Sequence, residues 1–367
     1  MVIIMKKMFT ACLLIALLAV LLCACAGTAQ ADNTVRTEVE ETMQNPYTAD
    51  TKITDVINDP AFGGYGRLIF PVNEGYYSGS TLGQLRLTWY SNIDPAKTVE
   101  IANYMKTHAE AGDTIFYDIY TDEEKAADPA KEDTGLFFFK GTPGERFAIC
   151  NAGGGFAYVG AMHDSFPHAL ELSKMGYNAF ALIYRPDAQA ACEDLARAIG
   201  FVFEHAEELE VDTDCYSLWG GSAGARMAAY LGSYGPAGFG GGELPRPGAV
   251  IMQYTGHSEY TESDPPTYVC VGTNDGIASW RTMKRRLQAM DALGIPTEFH
   301  AYEGLSHGFG LGTGTVAEGW IKDAVAFWGS FPPVSLALPL PCVCMARSPS
   351  PLPFQREAWR MIGWRRS

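Results

Sequence analysis

The amino-acid sequence predicts an α/β fold with a mostly parallel, doubly wound sheet of about eight strands. From residue 114 onward, short apolar segments typical of strands alternate with segments that have a helical pattern. Strands joined by helical crossovers run parallel in one sheet, and the helices cover both of its faces. The chain has 367 residues, of which 47% are hydrophobic, so it can bury one large core.

One helix is predicted before this alternation begins. Asp94 suits the N-cap, Pro95 suits the first helical position, and Gly112 is a typical stop, so a helix is expected over residues 96–111. The rest of residues 51–112 carries little signal. This segment is interpreted as an N-terminal extension or a partial cap over the functional site.

The later elements follow from apolar runs and helical periodicity. Strands are predicted over residues 114–120, 135–140, 146–150, 179–184, 216–219, 249–253, 268–271 and 296–302, and helices over residues 165–175, 191–209, 223–231, 280–293 and 315–328. The early strands are joined by short links and should form an antiparallel edge. The charged connection 121–134 should be exposed. Between residues 253 and 268 the chain is too short for a folded lid, so any cap must come from the segment before Gly112.

Both ends of the chain are expected to lie outside the fold. Residues 1–25 have the features of an export signal, because Lys6 and Lys7 precede an apolar stretch too short to favour a spanning helix. Two processing sites compete. Leu22-Cys23-Ala24-Cys25 is similar to a bacterial lipobox, whereas Ala29-Gln30-Ala31 has the small-x-small pattern of a signal peptidase site. The protein is therefore predicted to be exported, either membrane-anchored through lipidated Cys25 or secreted.

Two segments next to these ends are interpreted as unstructured. Residues 26–50 have the composition of a polar linker. Residues 331–367 combine seven prolines and five arginines with the single acidic residue Glu357, a composition that does not easily join a packed core. The tail is interpreted as an appended end without a structural role, or alternatively as a basic membrane-surface or partner-binding segment.

Charge and cysteine content argue against a nucleic-acid partner, a disulfide framework and a zinc site. The net charge of −15 argues against a nucleic-acid partner, because phosphate binding requires a basic surface. Four of the nine cysteines, Cys150, Cys192, Cys215 and Cys270, lie in the body of the chain, and three of those four lie in apolar strand-like runs. They are expected to be buried free thiols, with no disulfide framework and no zinc site.

A nucleophile motif stands where a predicted strand runs directly into a predicted helix. Gly220-Gly221-Ser222-Ala223-Gly224 matches G-x-S-x-G, in which a sharp turn presents the serine hydroxyl. The small flanking residues let strand and helix approach each other while Ser222 is lifted into a strained, exposed conformation. The alternative is an ordinary serine in a glycine-rich turn.

A second motif, Asn151-Ala152-Gly153-Gly154-Gly155-Phe156, follows an apolar strand. Consecutive glycines allow backbone N–H groups to converge on an anion, as a tetrahedral intermediate requires. Glycine-rich loops also bind phosphates, so this motif alone does not distinguish the two. A Walker lysine and threonine are absent, and no Rossmann spacing follows.

An acid and a base are expected on later loops of the same sheet. Asp275 follows the strand over residues 268–271, at the edge where active sites of open α/β sheets lie, although turn aspartates are common before helices. His307 follows the last strand, in a loop from which the imidazole can reach both a serine and a carboxylate.

The other histidines have weaker positions. His163 and His168 begin the helix after the glycine loop, where capping or surface roles are favoured over lining the pocket. His300 lies within a strand, and His108, His205 and His257 carry no signal. No H-E-x-x-H or other metal spacing is found, so no metal is expected.

With the glycine loop, Ser222, Asp275 and His307 in this order, the sequence resembles the α/β-hydrolase superfamily, esterase and lipase branch, over about residues 114–328. The resemblance implies the α/β-hydrolase fold, a catalytic domain over residues 113–330 and no cofactor. It also implies an oxyanion hole formed by the N–H groups of Gly154, Gly155 and Ala223. Ala152 stands where this branch usually has a histidine, and the chain is more similar to bacterial acetyl-xylan and feruloyl esterase-like hydrolases.

The expected activity is that of a serine hydrolase acting on carboxylic esters through an acyl-enzyme. Its substrates would be small-molecule or carbohydrate esters, with short acyl groups or sugar and plant-polymer esters favoured. One alternative is a serine peptidase of the prolyl-oligopeptidase type, although the chain has no repeats and no room for a propeller. The other is a catalytically silent, surface-anchored protein that binds carbohydrate or peptide.

Overall fold

An eight-stranded sheet lies at the centre of the computed structural model, which describes residues 45–331. The strands are β1 (Tyr77–Ser78), β2 (Arg86–Leu87), β3 (Phe116–Tyr117), β4 (Gly135–Phe139), β5 (Arg146–Asn151), β6 (Asn178–Ile183), β7 (Asp212–Gly221), β8 (Ala249–Gln253), β9 (Thr267–Gly272) and β10 (Thr297–Tyr302). The first two strands form a small antiparallel pair of their own. The large sheet has the order β10-β9-β8-β7-β5-β6-β4-β3.

Helices connect the strands and pack against the sheet. They are α1 (Ile53–Ile57), α2 (Pro95–Ala111), α3 (Asp122–Ala127), α4 (Ala161–Asp164), α5 (Phe166–Lys174), α6 (Ala188–Glu204), α7 (Ala223–Tyr234), α8 (Trp280–Asp291) and α9 (Trp320–Gly329). Every neighbouring pair from β10 to β6 is parallel, whereas β4 pairs with β6, and β3 with β4, in the antiparallel sense. The predicted fold class and the predicted antiparallel edge are therefore confirmed.

Several predicted elements have wrong boundaries; the helix expected over residues 191–209, for example, ends at Glu204. The strand expected over residues 114–120 is reduced to β3, because the carbonyl of Ile119 accepts a hydrogen bond from Arg197 Nε at 2.6 Å instead of joining the ladder. The helix expected from residue 315 begins only at Trp320. Glycines with positive φ occur throughout residues 308–319, and this conformation cannot continue a right-handed helix.

The N-terminal segment packs in the same compact unit as the sheet. That unit begins at Tyr47, inside the stretch interpreted as a polar linker, and Tyr47 is buried and exchanges two hydrogen bonds with Asn103 of α2. Helix α2 has the predicted Asp94 cap and Gly112 stop. Lys97 of this helix forms an ion pair at 2.8 Å with Glu171 of α5.

Several sequence predictions concern segments outside the described residues. The export signal with Cys25, the linker before residue 45 and the tail after residue 331 lie there, and they stay predictions. Within residues 45–331, no helix combines the length and apolar character that a membrane span needs. Cys150, Cys192, Cys215 and Cys270 are free thiols in this part of the chain.

The carboxyl ends of the parallel strands form one edge of the sheet. Asn151 of β5 pairs with Gly220 of β7, and Gly221 pairs with Gln253 of β8. The loops that follow β5, β7, β8, β9 and β10 therefore start side by side. This edge carries the glycine loop, Ser222, Asp275 and His307.

Two glycines allow β7 and α7 to pack closely at this edge. A Cβ atom at Gly220 would collide with the backbone of Gly224, and a Cβ at Gly224 would collide with the carbonyl of Asn151 on β5. No side chain could move to relieve either overlap, because the atoms it meets belong to the backbone. The sharp turn between strand and helix thus requires glycine on both sides of Ser222.

Gly224→Ala should lower the free energy of unfolding by about 3 kcal/mol or more, because the methyl group forces β5 and α7 apart. The matched control is Gly200→Ala in the interior of α6, where a Cβ atom meets nothing within 4 Å. That substitution should instead raise the free energy of unfolding by about 0.4–1 kcal/mol. Urea unfolding of both variants measures the difference, and equal stabilities would contradict this account of the turn.

Candidate active site

Ser222, His307 and Asp275 form a continuous hydrogen-bonded chain. His307 Nε2 lies 3.1 Å from Ser222 Oγ, and His307 Nδ1 lies 2.7 Å from Asp275 Oδ2. The two contacts use opposite nitrogens of one imidazole ring. An ionised carboxylate only accepts hydrogen bonds, so Nδ1 carries a proton and Nε2 presents its lone pair to the serine. The structure thus brings together the three residues that the sequence placed on separate loops.

Asp275 is held rigidly in the loop after β9. Its side chain is fully buried, and Oδ1 accepts hydrogen bonds from the N–H groups of Ile277 and Ala278 at 2.8 and 2.7 Å. Oδ2 is therefore left for His307. A carboxylate with this many fixed donors cannot rotate away, so it sets the orientation of the imidazole ring.

Ser222 has the strained backbone expected of a nucleophile turn. Its φ is +52° and its ψ is −112°, a conformation that a residue with a side chain seldom adopts. The N–H of Ser222 donates to the carbonyl of Gln253 at 3.0 Å, which ties the turn to the end of β8. The hydroxyl therefore projects from the first turn of α7 toward His307.

The glycine loop lies against the serine. A Cβ atom at Gly153 would stand 2.8 Å from Ser222 Cβ, and both Gly154 and Gly155 have positive φ values, +126° and +64°. Among the described residues, none accepts a hydrogen bond from the N–H of Gly154, Gly155 or Ala223. These three donors are the ones predicted for the oxyanion hole, which needs N–H groups that are free to bind an anion.

Asp164 is a buried residue of the site that sequence reasoning missed. Its carboxylate accepts hydrogen bonds from the N–H of Gly153 at 2.7 Å, from the hydroxyl of Tyr90 at 2.9 Å and from the hydroxyl of Tyr254. Burial raises the pKa of Asp164 from 3.8 to about 6, against the lowering effect of these donors and of His307. In the sequence, Asp164 is indistinguishable from a capping residue at a helix start.

Residues 88–92 of the N-terminal segment reach the site and were also missed. Besides the contact of Tyr90 with Asp164, the hydroxyl of Ser91 donates to the carbonyl of His307 at 2.8 Å. Trp89 has a φ of +70° and remains 49% exposed, with its ring 3.1 Å from the position of a Cβ at Gly155. The sequence gives no motif for these residues, and only the interpretation of residues 51–112 as an extension or partial cap anticipated that they lie near the site.

The surface role favoured for His163 and His168 is wrong. Both side chains are buried, and burial lowers the pKa of each from 6.5 to about 4. His168 Nδ1 contacts the carbonyl of Asp164, the last residue of α4, at 2.7 Å. His163 Nε2 contacts the carbonyl of Gly308 at 2.9 Å, beside His307. Within the described residues, no group of three or more His, Cys, Asp or Glu side chains is arranged to hold a metal ion.

Comparisons with known proteins agree with this fold. Residues 144–238, which contain the glycine loop and the serine turn, match the model of a family described as BD-FAE. An acetyl ester-xyloside bifunctional hydrolase from Caldicellulosiruptor lactoaceticus has a similar structure, with a TM-score of 0.52 and 22% identity. The match covers 59% of this chain and 95% of that one. The predicted α/β-hydrolase fold and the predicted resemblance are thereby confirmed.

Other solved structures are more distantly similar. An esterase from Thermogutta terrifontis with bound propionate is 21% identical, with a TM-score of 0.47, 54% of this chain and 89% of that chain being covered. A sugar hydrolase from Lactococcus lactis is 20% identical, with a TM-score of 0.46 and coverages of 54% and 94%. No curated protein matches the sequence.

The buried neutral histidines should make the folded state sensitive to acid. The folded-state pKa of His168 is about 4, whereas an unfolded histidine has a pKa of about 6.5, so the unfolded state binds protons first. The contribution of His168 to stability is present above pH 6.5 and falls by up to about 1.4 kcal/mol per pH unit as the pH drops toward 4. Asp164, with its raised pKa, acts in the opposite direction between pH 6 and 3.8.

Urea unfolding of wild type and His168→Gln at pH 7.5, 6 and 5 isolates this effect. The wild type should lose stability relative to the variant as the pH falls. If the difference between wild type and His168→Gln does not change with pH, His168 is not held neutral by burial.

Proposed function

We propose that this protein is a serine hydrolase that cleaves carboxylic esters through an acyl-enzyme. The observation that carries the proposal is the position of His307 Nε2, 3.1 Å from Ser222 Oγ, while Nδ1 is held at 2.7 Å by Asp275. This arrangement activates a hydroxyl, because the imidazole can remove its proton as Oγ attacks a carbonyl carbon. A serine with only a structural role would not need a buried histidine next to its hydroxyl and a buried aspartate behind that histidine.

The reaction then proceeds in two steps. In the first, Oγ of Ser222 bonds to the carbonyl carbon, and its proton passes to His307 Nε2, which returns it to the departing alcohol oxygen. In the second, a water molecule gives a proton to Nε2 and attacks the acyl-enzyme, and the serine hydroxyl re-forms as the acid leaves. The charge of Asp275 stabilises the imidazolium that exists in both steps.

The developing oxyanion is stabilised by the backbone. The N–H groups of Gly154, Gly155 and Ala223 would supply three donors, none of them bonded to another described residue, without any charged side chain. Such donors do not have to reorganise during the reaction, and each contributes roughly 2.7–4 kcal/mol of transition-state stabilisation in known cases. A role for these donors is consistent with the unusual φ values of the glycines.

For the substrate, we propose esters of short acyl groups whose alcohol carries a ring, such as a sugar. Trp89 supports this choice, because its exposed ring lies beside Gly155 at the rim of the site. Tyr158 packs against Trp89, with 5.9 Å between the ring centroids. Tyr76 stacks on Tyr158, with 4.7 Å between their ring centroids. An exposed indole that is held in place by neighbouring rings offers a flat apolar surface on which the C–H face of a sugar ring can stack. The similar structure described as an acetyl ester-xyloside hydrolase is compatible with this class.

Ser222→Ala should reduce the hydrolysis of p-nitrophenyl acetate by at least about 10³-fold, because the acyl-enzyme can no longer form. Purified wild type and variant are compared by the initial rate at pH 7.5. Ser233→Ala, a buried serine near the other end of α7, is the matched control and should keep wild-type activity. The proposal is lost if Ser222→Ala hydrolyses the ester as fast as the wild type.

A fluorophosphonate probe separates the alternative functions. An activated Ser222 should be labelled in the wild type and not in Ser222→Ala, whereas a catalytically silent binding protein would remain unlabelled. A prolyl peptide substrate distinguishes an esterase from a peptidase of the prolyl-oligopeptidase type. Cleavage of that peptide with a higher kcat/KM than p-nitrophenyl acetate would favour the peptidase.

Trp89→Ala should raise the KM for an acetylated xylo-oligosaccharide about 2- to 10-fold, which corresponds to the loss of one stacking contact. The kcat/KM for ethyl acetate, which has no ring, should stay within about twofold of wild type. Tyr260→Ala, which removes another exposed aromatic side chain, serves as the control. An equal loss on both esters would show that Trp89 does not select for the ring.

A further inference from the structure

The carboxylate of Asp164 lies at the end of the short helix α4, directly behind the nucleophile. Asp164 is 1% exposed, and a Cβ atom at Gly221 would collide with Asp164 Oδ1. A buried carboxylate is costly unless donors surround it, and Asp164 is satisfied by three of them. None of these donors is a cation. An apolar residue at this position would avoid the cost of desolvating the carboxylate.

Each of the three donors belongs to a different part of the active site. Gly153 opens the glycine loop beside Ser222, and its N–H points to Asp164 rather than to a substrate. Tyr254 follows β8, and its ring lies edge-on to the imidazole of His307, with 5.1 Å between ring centroids. Asp164 therefore contacts Gly153, which belongs to the glycine loop, and Tyr254, which packs against His307.

The third donor, Tyr90, comes from the N-terminal segment. Its ring fills the space above two glycines: a Cβ at Gly160 would stand 2.7 Å from Tyr90 Cε2, and a Cβ at Gly308 would stand 2.9 Å from Tyr90 Cδ1. Gly160 ends the glycine loop and Gly308 follows His307. The Tyr90 side chain is thus wedged between the oxyanion loop and the histidine loop, with its hydroxyl fixed on Asp164.

We propose that Asp164 and Tyr90 act together as positioning residues, which hold the glycine loop and the His307 loop in register with Ser222. The N-terminal segment is then part of the catalytic apparatus and more than a cover. This inference rests on the proposed ester hydrolysis, because its effect is measured on that reaction.

The hydrogen-bond pattern explains why a carboxylate is needed. Asp164 accepts from one N–H and two hydroxyl groups, and only an ionised carboxylate has acceptor capacity on both oxygens. An asparagine of the same shape has one oxygen and one NH₂ group, which cannot accept. Asp164→Asn therefore removes one of the two accepting oxygens, so a tyrosine hydroxyl that now donates to the carboxylate would have to accept from the NH₂ group instead, while the volume of the side chain is unchanged.

The test compares wild type, Asp164→Asn, Tyr90→Phe and the double variant, with p-nitrophenyl acetate at pH 7.5. Asp164→Asn should lower kcat about 10- to 100-fold with KM changed less than about threefold, because displaced oxyanion donors act on the transition state and not on binding. Tyr90→Phe, which keeps the ring, should lower kcat about 3- to 10-fold. The double variant should be no slower than Asp164→Asn alone, because both changes break one unit.

Tyr216→Phe is the matched control, since the hydroxyl of this buried tyrosine donates to the carbonyl of Pro245 at 2.8 Å. It should change kcat less than twofold. Thermal unfolding of each variant identifies any general loss of structure, and Tyr90→Phe keeps the test valid if Asp164→Asn fails to fold.

Three results overturn the proposal: unchanged kcat in both single variants, a rise of KM alone, or losses that multiply in the double variant. These results are distinct from failure of the proposed function. If the wild type neither hydrolyses esters nor reacts with a fluorophosphonate, the serine hydrolase proposal fails together with this one. If the wild type is active and labelled while the variants match it, only the positioning role is lost.

Discussion

The close contact between α7 and the end of β5 is the constraint on which the site depends. Gly224 lies so near the carbonyl of Asn151 that no side chain fits between them, and Gly220 has the same restriction toward Gly224. Because strand and helix meet at this distance, the chain must turn within a single residue. That residue is Ser222, whose φ of +52° is a consequence of the packing around it. The strain is maintained by the buried sheet, which cannot relax without losing its core contacts.

Around this turn, the parallel arrangement of the strands collects groups that are far apart in the chain. Six neighbouring parallel strands, from β10 to β6, end at one edge of the sheet, so the loops after them meet there by topology alone. Asp275 is immobilised by two backbone N–H groups, and its free oxygen orients His307. Rigid elements thus set the distances between Ser222, His307 and Asp275, and the connecting loops can be short. This explains how a chain of ordinary composition forms a pre-organised site.

Burial shifts the pKa values of acidic and basic groups near the site in opposite directions. Burial raises the pKa of Asp164 to about 6 and lowers the pKa of His163 and of His168 to about 4, so these residues favour their neutral forms more than free side chains do. Backbone and tyrosine donors compensate the Asp164 carboxylate without adding a positive charge near Ser222. A lysine or arginine in that position would have to be desolvated as well, and the uncharged donors avoid this cost.

The fold class, most strand and helix positions, and the candidates for nucleophile, acid and base can be predicted from the sequence. These features are local: a G-x-S-x-G turn between a strand and a helix, three consecutive glycines, and polar residues directly after apolar strands. Only the tertiary structure identified Asp164, Tyr90 and Ser91 as parts of the site. Their contacts join residues 74 and 216 positions apart, and nothing in their immediate neighbours signals such partners. It also decided where β3 and α9 begin and end, because side-chain contacts and positive-φ glycines override local propensity there. Short-range patterns specify elements and motifs, whereas partners across the fold are chosen by packing.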